Sequence, residues 1–107
     1  MTSLGAGESR TYASERLLAA IGTVLEQKTR AEQYLAASGL DYLILRPGRL
    51  MDEPVTGGGA LSASPAVHGN ISRPDLAALI LDGLERPDCS GRIFSAVDRA
   101  YLDGSAA

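Results

Sequence analysis

The stretch Asp41-Tyr-Leu-Ile-Leu-Arg-Pro-Gly48 decides the fold of this chain. Its centre is a short apolar run without alternation of polar and apolar residues, and Pro47 and Gly48 end it. Such a run is typical of a strand that is covered on both faces, and strands of that kind occur in parallel sheets flanked by helices. The stretch therefore indicates an α/β fold with mostly parallel strand pairing.

A helical pattern precedes this strand. Between Ser14 and Gly39 apolar residues recur at intervals of three and four, which predicts a helix capped by Ser14 and stopped by Gly39. Gly22 weakens the pattern, so the helix starts either at Ser14 or, after a separate turn, near Thr23. The apolar stripe consists of Leu17, Ile21, Val24, Lys28, Ala31 and Leu35.

A long loop follows the strand. Residues 47–66 hold three of the five prolines and four of the twelve glycines, and long ordered loops in compact domains are usually functional or mobile. The other predicted segments are a loop at 4–10, a short strand at 67–71, a helix from the cap Ser72 to Pro87, a last strand at 91–97 and a frayed tail at 98–107. The prediction is a sheet of about three strands with two to three helices.

Composition and charge limit the classes of function. The chain has 107 residues, 45% of them hydrophobic, and a net charge of −3, which is typical of one folded domain without a nucleic-acid-binding face. No apolar run reaches the roughly 20 residues of a membrane span, and the N-terminus lacks the features of a signal peptide. Cys89, the single cysteine, excludes an internal disulfide and a Cys-based zinc site. We interpret Cys89 as an inert surface thiol. We also expect a cytoplasmic protein without a metal site.

Several residues could take part in chemistry, and each has a structural alternative. Lys28 lies within the apolar stripe, where a lysine either extends to solvent or is held at a site. Arg46-Pro47-Gly48 stands where α/β sheets bind ligands, although an ordinary strand stop also explains it. The only histidine, His68, is more commonly structural or exposed in such a position. Asp52-Glu53 favours a solvated loop tip, and the glycines at 57–59 are not a phosphate-binding turn, since no helix follows them.

Seven short runs together carry a family resemblance. They are Thr2–Gly7, Lys28–Glu32 with Tyr34-Leu35, Ser38–Tyr42, Leu45–Gly48, Asp52–Pro54, Ile71–Ala77 and Gly91–Phe94. With these runs the chain resembles the C-terminal half of an atypical short-chain dehydrogenase/reductase, in the NAD(P)H-binding group similar to NmrA-like and sugar-epimerase-like proteins. The resemblance covers roughly residues 2–97. It implies the C-terminal half of a Rossmann-like, doubly wound parallel sheet.

The resemblance also implies roles for four residues. Lys28 matches the lysine that contacts the nicotinamide ribose in this family. Ser3 matches the serine that ends the preceding strand and orients the substrate in catalytic members. Pro47 and Gly48 match the turn that lies against the nicotinamide, and residues 49–66 match a variable segment that faces the substrate. Ser3 and Lys28 are thus the predicted catalytic residues, and Lys28, Pro47 and Gly48 the predicted cofactor-binding ones.

Two features depart from the family pattern. Val24 stands where the tyrosine of a Tyr-x-x-x-Lys pair provides the general acid, a tyrosine that many atypical members also lack. The Gly-x-x-Gly-x-x-Gly turn that binds the cofactor pyrophosphate is not found, and Gly5 and Gly7 do not replace it. We therefore expect residues 1–107 to form one partial NAD(P)-binding domain without the N-terminal Gly-rich βαβ half.

Three functions remain open from the sequence. The first is a fragment of an NAD(P)-dependent oxidoreductase or epimerase-like enzyme that acts on a small carbonyl, quinone or sugar-type substrate. In that case NADP or NAD should bind the isolated chain weakly or not at all, and the isolated chain should be inactive. The second is a non-catalytic, NAD(P)-sensing or regulatory module, which Val24 favours. The third is an inactive structural fragment that associates with itself through an exposed sheet edge.

Overall fold

The computed structural model describes residues 1–102 of the chain. In chain order the helices and strands are α1 (Glu15–Ala36), β1 (Leu43–Pro47), β2 (Arg49–Met51), β3 (Gly59–Ser62), β4 (Asn70–Ser72), α2 (Arg73–Leu84) and β5 (Arg92–Asp98). Short 3-10 helices lie at Gly7–Tyr12, Pro87–Cys89 and Arg99–Tyr101. No helix among the described residues is long and apolar enough to cross a membrane.

The central sheet has the strand order β1–β5–β3. β1 and β5 are parallel, with Leu45 opposite Phe94, whereas β3 is antiparallel to β5, with Gly59 opposite Asp98. β2 and β4 form a separate parallel pair. The predicted α/β class is confirmed, but the central sheet is mixed, and β2 and β3 lie inside the segment that the sequence indicated as loop.

The N-terminal residues extend this sheet beyond β1. The amide of Thr2 donates to the carbonyl of Leu45 at 2.9 Å, and the amide of Leu4 donates to the carbonyl of Pro47 at 3.0 Å. The two donor residues are two positions apart, and so are the two acceptor residues. This spacing is typical of two parallel strands. Ser3 therefore lies at the carboxyl end of β1, on the edge that β5 leaves free.

Helix α1 begins where its cap predicts. The Ser14 hydroxyl accepts a hydrogen bond from the amide of Leu17 at 3.1 Å, and Gly39 has a φ of +80° just beyond the end of the helix. The alternative of a separate turn before a start near Thr23 is confirmed in part. Ile21, whose φ of −136° and ψ of 20° are not helical, kinks α1, so that a second helical segment begins at Gly22.

The buried face of α1 is displaced from the apolar stripe. Leu25 and Glu32 are the buried residues of the helix, while Ile21 and Val24 are 38% and 46% exposed. Lys28 is half-buried at the border between the two faces. Because consecutive helical residues are separated by about 100° around the axis, the stripe borders the buried face rather than forming it.

The two helices cover opposite faces of the central sheet. Side chains alternate along a strand. Leu43 and Leu45 of β1 pack in the same cluster as residues of α2, whereas Arg46 points to α1. The buried core cluster consists of Leu45, Ile71, Leu76, Cys89, Phe94 and Ala96. The interpretation of Cys89 as a surface thiol is wrong, because it is buried in this cluster.

The two ends of the described chain are more ordered than the sequence indicated. Residues 7–10 of the expected loop lie in a 3-10 helix that continues to Tyr12, and residues 99–101 of the expected frayed tail form another. Asp98 caps the second of these through the amide of Ala100 at 3.1 Å. Residues 103–107 of the expected tail lie outside the described part of the chain.

Exchanging neighbouring residues of α1 for alanine distinguishes its two faces. We expect Leu25→Ala to lower the free energy of unfolding by about 2 to 5 kcal/mol, because it leaves a cavity under a fully buried side chain. Val24→Ala should change it by only about 0.5 kcal/mol, since the side chain is half exposed. Urea denaturation followed by circular dichroism measures both values. Equal losses would show that Val24 is buried as fully as Leu25 and would contradict the described face of α1.

Candidate functional site

Three of the four predicted site residues lie at the carboxyl end of β1. Ser3 neighbours Leu4, whose amide bonds to Pro47, and Gly48 follows directly. Ligands of α/β sheets bind outside the carboxyl ends of the strands. The structure thus brings the Ser3 segment and the Pro47-Gly48 turn together.

The N-terminal segment contacts α1 at residues close to Lys28 in the sequence. The side chain of Leu25 packs against Gly5, where an added Cβ would lie 2.8 Å from Leu25 Cδ1. One turn further, the amide of Gly7 donates to the hydroxyl of Thr29 at 2.9 Å. Residues 5 and 7 therefore contact α1 at Leu25 and Thr29, which flank Lys28 in the sequence. Contact of Lys28 with a cofactor stays a prediction.

A buried ion pair lies beneath these residues. Arg46 and Glu32 are only 3% and 5% exposed. The guanidinium donates from Nε to Glu32 Oε2 at 2.9 Å and from Nη2 to Glu32 Oε1 at 2.8 Å. This two-point geometry satisfies both carboxylate oxygens, which is the condition under which a buried charge pair is tolerated.

The N-terminal segment adds two further polar groups to this pair. Glu8 accepts a hydrogen bond from Arg46 Nη2 at 2.8 Å, and the hydroxyl of Thr2 donates to Glu32 Oε2. The Arg46 guanidinium lowers the pKa of Glu8, and the hydrogen bonds from Arg46 to Glu32 raise the pKa of Arg46. Arg46 thereby joins the segment of Ser3, the helix of Lys28 and its own strand.

Gly7 is required where this network meets the backbone. Its φ is +54°, a region that favours glycine, and a Cβ there would lie 2.0 Å from Arg46 Nη2. The chain can therefore pass over the guanidinium only without a side chain at this position. The loop interpretation of residues 4–10 did not include this requirement.

Gly48 also allows a close approach, but to the protein itself. A Cβ at Gly48 would lie 2.1 Å from the carbonyl oxygen of Gly69, which accepts a hydrogen bond from the amide of Arg49 at 3.1 Å. The turn after β1 is thus packed against the residue that precedes β4. Contact of Pro47 and Gly48 with a nicotinamide stays a prediction.

Two cavities share Tyr101 as a lining residue, and neither is bordered by Pro47 or Gly48. A cavity of about 560 Å³ is bordered by Ser62, His68 and Tyr101, and one of about 430 Å³ by Asn70 and Tyr101. The Tyr101 ring packs over Gly69, and its hydroxyl accepts from Asn70 Nδ2 at 3.0 Å. His68 is exposed and also borders a smaller cleft beside Leu4 and Gly5. Both larger cavities have the volume of small-molecule sites.

The acidic residues of the long loop separate into two kinds. Asp52 is exposed, as its interpretation as a loop tip implies, and pairs with Arg73 at 2.7 Å. Glu53 is also exposed, but it borders the cavity of about 430 Å³. Within residues 1–102 no group of three or more histidine, cysteine or acidic side chains could hold a metal ion.

Sequence reasoning missed three acids that the structure places at or near this site. Glu8 and Glu32 contact Arg46, and Asp75 is buried at the start of α2. Glu32 falls four residues after Lys28, which is one turn along the same helix side, so its spacing could have indicated a partner for a buried cation. The sequence showed Asp75 only as an acid in the first turn of a helix.

The geometry and the family comparison agree on one class of protein. A family model described as NAD(P)H-binding matches residues 1–87, so the chain belongs to that family. The expected membership in the NAD(P)H-binding, atypical short-chain dehydrogenase/reductase group is confirmed, and with it the Rossmann-type fold.

Individual relatives support the same family. The chain is 39% identical over 71 residues to YhfK of Bacillus subtilis, an uncharacterized sugar epimerase, and 34% identical over 80 residues to an uncharacterized chloroplastic protein of Arabidopsis thaliana. These matches cover 66% and 74% of this chain. ChuY, an anaerobilin reductase of Escherichia coli O157:H7, superimposes with a TM-score of 0.86 at 40% identity over 91% of this chain.

The chain corresponds to part of each relative. It spans 33% of YhfK, 29% of the Arabidopsis protein and 47% of the ChuY chain. The activities of the whole relatives are therefore properties of longer chains. That residues 1–107 form a partial domain stays a prediction.

Removing one charge of the buried pair tests its contribution to stability. Glu32→Gln leaves the buried Arg46 guanidinium with the exposed Glu8 as its one acidic partner among the described residues, and we expect it to lower the free energy of unfolding by about 3 kcal/mol. The matched control is Glu26→Gln on the same helix, whose pair with Arg10 at 3.6 Å is exposed and should contribute less than about 1 kcal/mol. Chemical denaturation of both variants gives the comparison. Similar losses would show that burial does not distinguish the two pairs.

Asp75 makes the stability of the chain depend on pH in the acid range. The hydroxyl of Ser72, helped by the amide and hydroxyl of Thr56, lowers the pKa of Asp75 from 3.8 to about 2. Because the folded-state pKa is the lower one, the stabilisation is complete above the unfolded value and is lost as pH falls toward about 2. The difference in unfolding free energy between the wild type and Asp75→Asn should therefore be constant from about pH 7 to about pH 5 and shrink below about pH 4.

Urea denaturation of the wild type and of Asp75→Asn at several pH values measures this difference. A wild-type advantage over Asp75→Asn that stayed constant down to about pH 2.5 would contradict the lowered pKa.

Proposed function

We propose that this chain forms the nicotinamide and substrate side of an NAD(P)H-dependent reductase that acts on a small carbonyl, quinone or sugar-type substrate. One observation carries the proposal. The buried guanidinium of Arg46 joins the segment of Ser3, the helix of Lys28 and the strand that leads to Pro47 and Gly48. These are the three elements to which the family resemblance assigns contact with cofactor and substrate.

The residues present fit one half of NADP or NAD. The half-buried ammonium of Lys28 can donate to the hydroxyls of a ribose at the edge of the sheet, beside the carboxyl end of β1. When bound, a reduced nicotinamide supplies a hydride for the substrate carbon, and a proton completes the reduction at oxygen. No Gly-rich turn for a pyrophosphate is found among these 107 residues, so we expect weak binding of the whole dinucleotide.

The chain's own groups would position the substrate rather than protonate it. The Ser3 hydroxyl is free to rotate from the carbonyl of Leu4, to which it now donates at 3.0 Å, toward a substrate oxygen. Val24 offers no phenol one turn before Lys28, so the proton comes from water or from another group at the cavities. The likeness to ChuY, an anaerobilin reductase, favours a reductase over an epimerase.

An NAD(P)-sensing module without turnover is the second candidate. The absence of a tyrosine at position 24 favours it, because a sensor needs the cofactor contacts of Lys28 but no general acid. One assay distinguishes the reductase from the sensor, and it uses a longer form of the protein that includes the Gly-rich half. Hydride transfer from NADPH to quinones, flavins or aldehydes would exclude a pure sensor.

The third proposal is that copies of this chain associate with one another. Large apolar side chains are exposed on both helices, at Val24 of α1 and at Leu81 and Leu84 of α2. In addition, residues 2–4 form only two backbone hydrogen bonds with the edge of β1. Exposed apolar surface and an open strand edge promote association. A monomer by light scattering, with one cooperative melting transition, would contradict this proposal.

We also propose a cytoplasmic location, since the single cysteine is buried and forms no disulfide.

Binding of half-cofactors tests the proposed cofactor side directly. We expect reduced nicotinamide mononucleotide to shift the amide resonances around Ser3, Lys28 and Gly48 with a Kd on the order of 1 mM, and adenosine monophosphate to shift none of them. Lys28→Met keeps most of the apolar stem and should weaken the nicotinamide half about tenfold.

The matched control is Arg30→Met, an exposed cation on the same helix. It should leave the Kd unchanged. A preference for the adenosine half, or an equal effect of both substitutions, would contradict the assignment of Lys28. A micromolar Kd for NADPH would show that the expectation of weak binding is wrong.

A further inference from the structure

A buried acid holds part of the long loop. Thr56 donates its amide to both carboxylate oxygens of Asp75, at 3.0 and 3.2 Å, and Gly57 donates its amide at 2.9 Å. The Thr56 hydroxyl lies 2.9 Å from the same carboxylate. The loop residues Val55, Thr56 and Gly57 are themselves exposed, whereas Asp75 is only 3% exposed.

Helix capping accounts for only part of this arrangement. The cap of α2 is Ser72, whose hydroxyl accepts from the amide of Asp75 at 3.2 Å. An acid at the third helical position usually reaches back toward the backbone of its own cap. Asp75 does reach back to its cap and accepts from the Ser72 hydroxyl, but it also accepts from loop residues that precede it by 18 and 19 positions. An ionised group is costly to bury unless it is fully hydrogen-bonded, and here the loop supplies three of its donors.

The contact continues from the loop to the end of β5. The Thr56 hydroxyl also lies 3.0 Å from Asp98 Oδ2, and it accepts from the amide of Gly58 at 3.0 Å. Asp98 in turn caps the 3-10 helix that carries Tyr101 over Gly69. Asp75, Thr56 and Asp98 therefore form one connected set of hydrogen bonds.

This set forms a wall of the cavity of about 430 Å³. The cavity is bordered by Met51, Glu53, Thr56, Asn70, Asp98 and Tyr101, among others. Thr56 and Asp98 stand in the wall itself, and Asp75 lies behind them. The position of Thr56 relative to Asn70 and Tyr101 thus depends on a carboxylate that does not border the cavity.

We propose that Asp75 is a positioning residue, which sets the shape of the substrate side of the site by fixing Thr56 and Gly57. The proposal rests on the proposed function, because that function makes residues 49–66 the substrate-facing segment. Asp75 acts through the loop and touches neither substrate nor cofactor.

Amide hydrogen exchange of the ligand-free chain tests the proposal. We expect Asp75→Asn to speed exchange at Thr56 and Gly57 at least about tenfold, while amides inside α2, such as those of Leu79 and Ile80, change less than about threefold. The matched control is Asp52→Asn, an exposed acid of the same loop, which should leave Thr56 and Gly57 unchanged. Unchanged exchange at these amides in Asp75→Asn would overturn the proposal. Equal acceleration throughout α2 would also overturn it, because it indicates a role in the helix alone.

A pair of substitutions at position 56 gives a second measurement if Asp75→Asn does not fold. Thr56→Val removes the hydroxyl and should speed exchange at Gly58 and shift the side-chain amide resonance of Asn70. Thr56→Ser keeps the hydroxyl and should preserve both. Identical results for the two variants would overturn the connection to the cavity wall. None of these measurements uses a ligand, so their failure is distinguishable from a failure of reduced nicotinamide mononucleotide to bind.

Discussion

The Arg46–Glu32 pair is the interaction on which the rest of this structure depends. A guanidinium that is almost excluded from water has to find partners for its donors within the protein, and Glu32 alone does not provide enough of them. Glu8 supplies a further acceptor, which requires the N-terminal segment to cross the pair closely. Gly7 permits that crossing because it has no side chain. The placement of Ser3 and of Lys28 follows from where this segment and α1 meet Arg46.

The same pair explains why the buried face of α1 was misplaced by the sequence pattern. Hydrophobic periodicity assigns the interior side of a helix to its apolar residues. Here the interior side includes Glu32, whose charge is matched by Arg46, and so the apolar stripe is left at the border. The apolar stripe can include the cation Lys28 because the stripe is not the core. A half-buried lysine can either extend its ammonium group to solvent or hold it at a binding site, and both alternatives agree with this partial exposure.

Local patterns predicted the elements whose formation depends on nearby residues. The caps Ser14 and Ser72, the stop at Gly39 and the buried strands β1 and β5 all have the residues that those structures need within a few positions. β2 and β3 were not predicted, because they have three and four residues and their partners lie far along the chain. Tyr101 was placed in a frayed tail for the same reason, since the order of that segment depends on Gly69 and Asn70. Cys89 was assigned to the surface because a turn residue next to Pro87 carries no local sign of the core behind it.

The candidate site could be predicted to the extent that it lies on regular elements. Lys28, Pro47 and Gly48 stand on or directly after a helix and a strand, whereas the acids that hold those elements together act across long sequence separations. Both buried arrangements use a carboxylate to fix a segment that has little apolar surface of its own, Glu32 for residues 2–8 and Asp75 for residues 55–58. A segment rich in glycine, serine and threonine gains little from hydrophobic burial, so hydrogen bonds to a fixed charge contribute much to its order. In residues 2–8 these bonds act together with the burial of Ala6 and the backbone bonds to β1. The two segments at the carboxyl ends of β1 and β5 thus depend on buried carboxylates in addition to packing.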